Sequence, residues 1–230
     1  MNLEGDFVMK RKLVYIEVFV ITIVILVLAQ AVSISIPNKL IKNNMIESAQ
    51  YYNQQSKHSY LFNSFDINNE AKISMFAIDN YTDSLTLNMI WNAKLTSNNP
   101  FESLVLMKYY RNDELYMTES LYETVINGEE ANTEYSRYWH GSIIYIKPLL
   151  IFFNIKGIRI VNVIVMLSLI IYLSFLLFKK NKILSISLLI GLVMVMIPTT
   201  MICLEYFFAF VIMLIASIAT VRNIDKEDKE

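Results

Sequence analysis

The chain has 230 residues, 55% of them hydrophobic and 18% charged, and its 20 basic and 21 acidic side chains give a formal net charge of −1. Soluble domains contain about 45–50% apolar and about 25% charged residues, so this composition favours an integral membrane protein. The near-neutral charge gives no support to nucleic-acid binding. One cysteine and two histidines also argue against a disulfide framework and against a zinc or redox centre built from these residues.

Four apolar tracts predict an all-α integral membrane protein with four transmembrane helices. The tracts comprise residues 13–36, 157–178, 183–201 and 202–221. A helix of about 20 residues crosses the hydrocarbon layer of a bilayer, so the first, second and fourth tracts are long enough by themselves. The third tract reaches that length only if residues 198–201 are included.

The basic residues predict the orientation of these helices. They cluster at residues 10–12, 179–182 and 222–226. All three clusters lie on one side of the membrane if the chain crosses it four times. Because lysine and arginine accumulate in cytoplasmic segments, we expect a plasma-membrane protein whose termini, 1–12 and 222–230, are both cytoplasmic. Residues 37–142 then form a large extracytoplasmic loop between the first and second spans.

The first apolar tract also permits a second interpretation. Ala29 and Ala31 have the spacing of the small residues at a signal-peptidase site, and a basic segment precedes the tract. The apolar run is longer than the usual core of a signal peptide and continues through Ile36. This length favours an uncleaved membrane anchor.

The extracytoplasmic segment is predicted to be helical, because its apolar residues recur mostly at helical spacing. We expect one helix over residues 38–56, with an apolar stripe of Leu40, Ile41, Met45, Ile46 and Ala49. A second helix is expected to begin after Asp79, a favoured capping residue. Pro100 is typical of the first turn of a third helix, which we expect to continue through Lys108. Thr133 is expected to cap a last helix. The high density of tyrosine in this segment indicates that it lies against the bilayer.

Residues 143–156 are predicted to form an interfacial helix next to the membrane. The stretch is apolar but too short to cross, and Lys147 and Pro148 interrupt it. The residues just before it, "RYWHG" in the sequence, would be its polar end facing water. A simple interpretation is an aromatic belt whose basic side chains bind lipid phosphates.

Two segments carry a resemblance to a known class of enzymes. "IDNYTDSLTLN" and "YSRYWHGSIIYIKPLLIFFNIKGIRIVN" resemble segments of uncharacterised multispanning proteins of Gram-positive bacteria that lie near the GT-C-type membrane glycosyltransferases. The resemblance covers most of residues 10–215. It implies transfer of a sugar from a polyprenyl-phosphate donor to a cell-surface acceptor. GT-C enzymes have many more spans, so the similarity is to their N-terminal part and fits a truncated enzyme, half of a split protein or an inactive remnant.

Asp79 and Asp83 are the candidate catalytic residues. They are four residues apart and share a face if they lie on one helix. The resemblance implies that one carboxylate acts as base for the acceptor hydroxyl, while the other orients the acceptor or a divalent cation. The alternative is structural, since aspartate at a helix start is favoured by capping and by the helix dipole.

Three basic residues are candidates for binding the phosphate of a lipid. Arg137, His140 and Arg159 all fall near the expected level of the outer headgroups. Lys147 and Lys156 fall there too, and ordinary membrane lipids explain them at least as well. Glu205 is the one acidic residue of the fourth tract, and such intramembrane polar residues often face the protein interior and mark a pathway.

A non-catalytic role is the alternative function. The small number of spans fits an assembly partner, a sensor or a lipid-binding subunit whose partners are membrane lipids or another membrane subunit. In that case Asp79→Asn and His140→Ala leave function unchanged.

Overall fold

Three helices are long and apolar enough to cross a membrane, in a computed structural model that describes residues 3–54, 59–60, 77–95, 100–137 and 140–227. These candidate spans are Val14–Ile34, Ile155–Lys180 and Leu204–Asn223. The predicted all-α class is confirmed, and the three apolar helices support a membrane protein. Only a minority of the residues of each span are buried inside the protein, so lipid can cover the rest.

Most of the secondary-structure elements are helices. The helices are α1 (Leu3–Ile34), α2 (Asn38–Gln54), α3 (Asn80–Asn92), α4 (Pro100–Val105), α5 (Met117–Tyr122, continued by a π-helical turn at Glu123–Asn127), α6 (Ile143–Leu149), α7 (Ile155–Lys180), α8 (Lys182–Met194), α9 (Ile197–Ile202) and α10 (Leu204–Glu227). Short antiparallel ladders join β1 (Ser59–Tyr60) to β2 (Ala77–Ile78) and β3 (Met107–Tyr109) to β4 (Thr133–Tyr135).

The third predicted span is two helices rather than one. α8 ends at Met194 and α9 begins at Ile197, with Met196 between them in the left-handed region at φ 54°. Pro198 lies in the first turn of α9, where its missing N–H breaks no helical hydrogen bond. The 13 residues of α8 reach only about 20 Å, which is less than the hydrocarbon thickness.

The helices α7 to α10 pack on one another as a bundle. Its buried core is apolar and includes Met166, Leu173, Leu192, Phe207 and Leu214. α1 packs instead through its C-terminal end, where Gln30 donates to the carbonyl of Leu104 at 2.8 Å and Ser33 to that of Ile144 at 3.1 Å.

We call α2 to α6, with their connecting segments, the helical module. Its core contains one stripe of α2, namely Ile41, Met45, Ala49 and Tyr52, packed with residues of α3 and α5. The predicted stripe is thus largely confirmed, and α2 covers residues 38–54 of the predicted 38–56. Leu40 is an exception because it is exposed.

Two predicted helix boundaries in the module are wrong. α4 ends at Val105, and Met107 begins a strand instead of extending the helix. Thr133 begins the partner strand and caps no helix. The two strands pair Met107 with Tyr135, which is far away along the chain. A ladder of three residues between distant segments leaves almost no local pattern in the sequence.

The predicted interfacial helix is shorter than expected and is covered by protein. α6 ends at Leu149, and α7 begins at Ile155 after Asn154, whose side chain accepts from the Gly157 N–H at 3.2 Å. Ile143 and Ile146 are buried in the same core as α2 and α3. This side of α6 therefore packs against α1 and the rest of the module instead of facing lipid.

Candidate functional site

Asp83 lies at a point where four helices meet. The carboxylate is 1% exposed. Its Oδ2 accepts from Arg159 Nη2 of α7 at 2.8 Å and from the Tyr52 hydroxyl of α2 at 3.0 Å. Its Oδ1 accepts from the backbone N–H of Leu204, the first residue of α10, at 2.9 Å. Arg159 Nη2 also donates to the Tyr52 oxygen at 3.0 Å, which closes a triangle of polar groups. We call Asp83, Arg159, Tyr52 and the Leu204 N–H the Asp83 junction.

The local sequence explains how each group reaches the Asp83 junction. Tyr52 ends the apolar stripe of α2, so its ring packs in the core while its hydroxyl reaches across. The Leu204 N–H is one of the first N–H groups of α10, which have no partner inside their own helix. A carboxylate at this helix end also interacts favourably with the helix dipole. Asp83 thus caps α10 from another element.

Burial controls the electrostatics of the Asp83 junction. It raises the pKa of the Asp83 carboxyl, while the Arg159 guanidinium and the N–H of Leu204 oppose that rise. Burial also raises the pKa of Tyr52 far above its usual range, so the phenol stays neutral and donates. Both oxygens of Asp83 are engaged inside the protein. A general base must reach its substrate, whereas the protein encloses the Asp83 carboxylate in this arrangement.

Asp79 has the capping role that its position in the sequence suggested. Its Oδ1 accepts from the Thr82 N–H at 2.9 Å and its Oδ2 from the Thr82 hydroxyl at 2.5 Å. Asp79 is only half-buried. Both Asp79 and Asp83 act electrostatically on Glu205, a half-buried residue in the first turn of α10. Within the described ranges, however, no group of three or more acidic, histidine or cysteine side chains is placed to hold a metal ion.

The three predicted phosphate-binding residues lie in different surroundings. Arg159 is committed to Asp83 and is 8% exposed. Arg137 is exposed in the segment between β4 and α6. His140, expected at the water-facing end of a helix, is instead buried against Tyr135, with ring centroids 4.7 Å apart. Its Nε2 has no hydrogen-bond partner among the residues that the structure describes. Tyr138 and Trp139, which were expected beside it, lie outside the described residues.

We expect the protein to lose stability as the pH falls from about 6.5 to about 4, because burial lowers the pKa of His140 from 6.5 to about 4. In that window the unfolded chain binds a proton that the folded protein does not. The contribution of His140 to the free energy of unfolding is therefore complete above pH 6.5 and decreases as the pH falls. It amounts to about 3 kcal/mol over the whole window. Thermal unfolding in detergent at several pH values measures it. His140→Phe removes the titration and should flatten the profile relative to the unchanged protein; an equal slope in both proteins would contradict this assignment.

Lys147 is a buried residue whose role the sequence did not reveal. Its side chain is fully buried, and Nζ donates to the carbonyl of Ile34, the last residue of α1, at 3.1 Å. Cations are favourable at the C-terminal end of a helix, where carbonyl groups lack partners. Burial lowers the pKa of Lys147 to about 8. Lys147 therefore fixes the end of the first span to α6 rather than facing lipid phosphates.

Comparison of the chain with protein-family models, with curated proteins and with solved structures gave no match.

Proposed function

We propose that the protein is a non-catalytic, multi-pass subunit of the plasma membrane that acts as an assembly partner for another membrane protein. The observation that supports this proposal is the Asp83 junction, which ties α2 and α3 of the helical module to α7 and α10. One of the two candidate catalytic carboxylates and one of the three candidate phosphate-binding cations are both used to hold the module on the membrane helices. Such a joint suits a protein that presents a rigid surface.

The proposal includes four crossings with both termini cytoplasmic. Asp83 binds Arg159 near the start of α7 and Leu204 at the start of α10, so these helices begin at the same end of the bundle. The intervening α8 and α9 then have to return from the far end of α7, which supports a broken fourth span. The buried contacts of Gln30 and Ser33 support an uncleaved first span.

Reporter fusions test this topology. Alkaline phosphatase is active only outside the cytoplasm, so fusions after Lys182 and after Asn223 should be inactive, whereas one after Cys203 should be active. A fluorescent-protein fusion at each position should give the opposite pattern. Phosphatase activity after Asn223 would contradict four crossings.

A glycosyltransferase that uses a polyprenyl-phosphate donor is the second candidate function. One observation favours it: Asp79 and Glu205 are both only half-buried, and Asp79 acts electrostatically on Glu205 where α3 approaches α10. Two partly accessible carboxylates near a membrane surface could serve as base and acceptor-orienting group, with a divalent cation as a further option. Of the three predicted phosphate-binding residues, Arg137 is the exposed one and is the candidate for binding the donor phosphate.

Asp79→Asn distinguishes the two functions. Asparagine is as good a capping residue as aspartate, so α3 keeps its start, but an amide cannot accept the proton of an acceptor hydroxyl. We expect cells that produce this variant in place of the native protein to have the same profile of cell-surface glycans as cells with the native protein. A decrease of about a hundredfold or more in one glycan, at an equal protein level, would overturn the non-catalytic proposal and support the enzyme. Glu205→Gln is the companion variant.

A further inference from the structure

A polar pocket opens in the helical module between the start of α3, the start of α5 and the turn that connects β3 to α5. It has a volume of about 180 Å³. Its lining combines polar side chains with two aromatic rings and includes Tyr81, Arg111, Asn112, Asp113, Tyr116 and Ser120. The volume is below the range of about 300–1,000 Å³ that is typical of sites for drug-sized ligands, so the pocket suits a single small ring.

Ser120 contributes a buried hydroxyl to the lining of this pocket. The residue is 1% exposed. Its hydroxyl makes no hydrogen bond to any residue that the structure describes. A buried polar group without a partner is costly, so a ligand that brings a donor or an acceptor into the pocket gains a hydrogen bond at Ser120.

The two tyrosine rings form an aromatic corner in the pocket. The rings of Tyr81 and Tyr116 meet at an angle of 80°, with their centroids 6.3 Å apart, and Tyr81 is 42% exposed. The face of an aromatic ring carries partial negative charge, which attracts the weakly positive C–H groups of a saturated ring. A ligand that has C–H groups on one face and hydroxyls at its edge therefore fits this corner.

The charges of the lining favour a neutral ligand with hydroxyl groups. Arg111 Nε donates to Asp113 Oδ1 at 2.8 Å, so one cation and one anion are paired and give a charged ligand no net attraction. Both side chains are exposed and can be reached from solvent. A hydroxyl can accept from a guanidinium and donate to a carboxylate at the same time, which suits such a pair.

Hydrogen bonds hold the turn of the pocket in place before any ligand binds. The backbone N–H of Arg111 donates to Asn132 Oδ1 at 2.9 Å, and its carbonyl accepts from Asn132 Nδ2 at 2.8 Å. Asn112 Oδ1 accepts from the Glu114 N–H at 3.0 Å. A site that is already formed avoids the entropic cost of ordering a loop, which matters for a small ligand with few contacts.

We propose that this pocket binds one neutral sugar ring. Tyr81 packs on the C–H face of the sugar, while Ser120 and the Arg111–Asp113 pair bind its hydroxyls. The site goes beyond the assembly role proposed above and does not depend on it. On the proposed topology the module lies outside the cytoplasm, where the sugar would belong to a surface glycan.

Saturation-transfer NMR with the full chain in phosphatidylcholine nanodiscs tests the site, because these discs contain no sugar headgroups. The probes are methyl glycosides of hexoses, N-acetylhexosamines and 6-deoxyhexoses, with glucose 6-phosphate and alanine as charged ligands. Tyr81→Ala removes the stacking ring, and Ser120→Ala removes only a hydroxyl. Tyr172→Ala is the matched control, because Tyr172 is 41% exposed but lies on α7 outside the pocket.

We expect at least one methyl glycoside to bind with a Kd of about 1 mM. Ser120→Ala should raise this Kd about fivefold through the loss of one hydrogen bond, and Tyr81→Ala should raise it about tenfold. Tyr172→Ala should leave it unchanged. Equal affinities of Tyr81→Ala and Tyr172→Ala, or no binding of any glycoside, would overturn the site. Tighter binding of glucose 6-phosphate or alanine than of every glycoside would show that the ligand is not a neutral sugar.

Discussion

Replacing Arg159 with methionine is expected to lower the free energy of unfolding by about 3–5 kcal/mol, because the Asp83 carboxylate is then left buried without its cation. Methionine fills much of the volume of the arginine stem, so the loss is electrostatic more than steric. Tyr52 and the Leu204 N–H still bind the carboxylate but supply no full positive charge. Thermal and denaturant unfolding in detergent micelles measure the change. Limited proteolysis should also show a helical module that detaches more easily from the spans.

Two matched variants isolate the buried ion pair. In the double variant Asp83→Asn with Arg159→Met the uncompensated charge is gone, and the asparagine oxygen still accepts from Leu204. The double variant should therefore be more stable than Arg159→Met alone. Lys108→Met breaks an exposed pair, in which Nζ is 3.2 Å from Glu134 Oε1, and should cost less than about 1 kcal/mol. Equal losses for Lys108→Met and Arg159→Met would show that the pair at Asp83 has no special role.

The parts of the fold that depend on local sequence were predictable. Hydropathy gives the three candidate spans, because a membrane helix needs a continuous apolar run. The stripe of Ile41, Met45 and Ala49 gives α2, and Asp79 gives the start of α3 through hydrogen bonds within one turn. Each of these signals lies within a few residues of the element that it defines.

The candidate site could be predicted only in part, because its contacts join distant segments. Asp83 and Arg159 are 76 positions apart, and nothing in a single sequence pairs them. One signal was available: a lone arginine in an apolar span usually faces the protein interior and has a partner. The burial of His140 had no such signal, because the sequence "RYWHG" also fits an aromatic belt at the membrane surface. The break at Met196 could have been suspected from Pro198.

Asn88 is a buried amide of α3 that completes the hydrogen bonding of a distant peptide group. Its Nδ2 donates to the carbonyl of Tyr110 at 2.9 Å, and its Oδ1 accepts from the N–H of Tyr110 at 2.9 Å. The side chain thereby imitates a strand neighbour at the end of β3. Asn92 also donates to this Oδ1 at 2.9 Å. One side chain therefore fixes the connection between α3 and the β3–β4 ladder.

Asn88→Ala is expected to cost about 2–4 kcal/mol of unfolding free energy, because both backbone groups of Tyr110 lose their partner in a part-buried position. Asn132 is a natural control, since its side chain makes the same two bonds to the neighbouring residue Arg111, at 2.8 and 2.9 Å, on the exposed surface. Water can replace the amide there, so Asn132→Ala should cost less than about 1 kcal/mol. Unfolding of the two variants under identical conditions measures the effect of burial on one bonding pattern. If the two losses are equal, burial of Asn88 adds nothing, and the connection between α3 and β3 is held by the packing of apolar side chains instead.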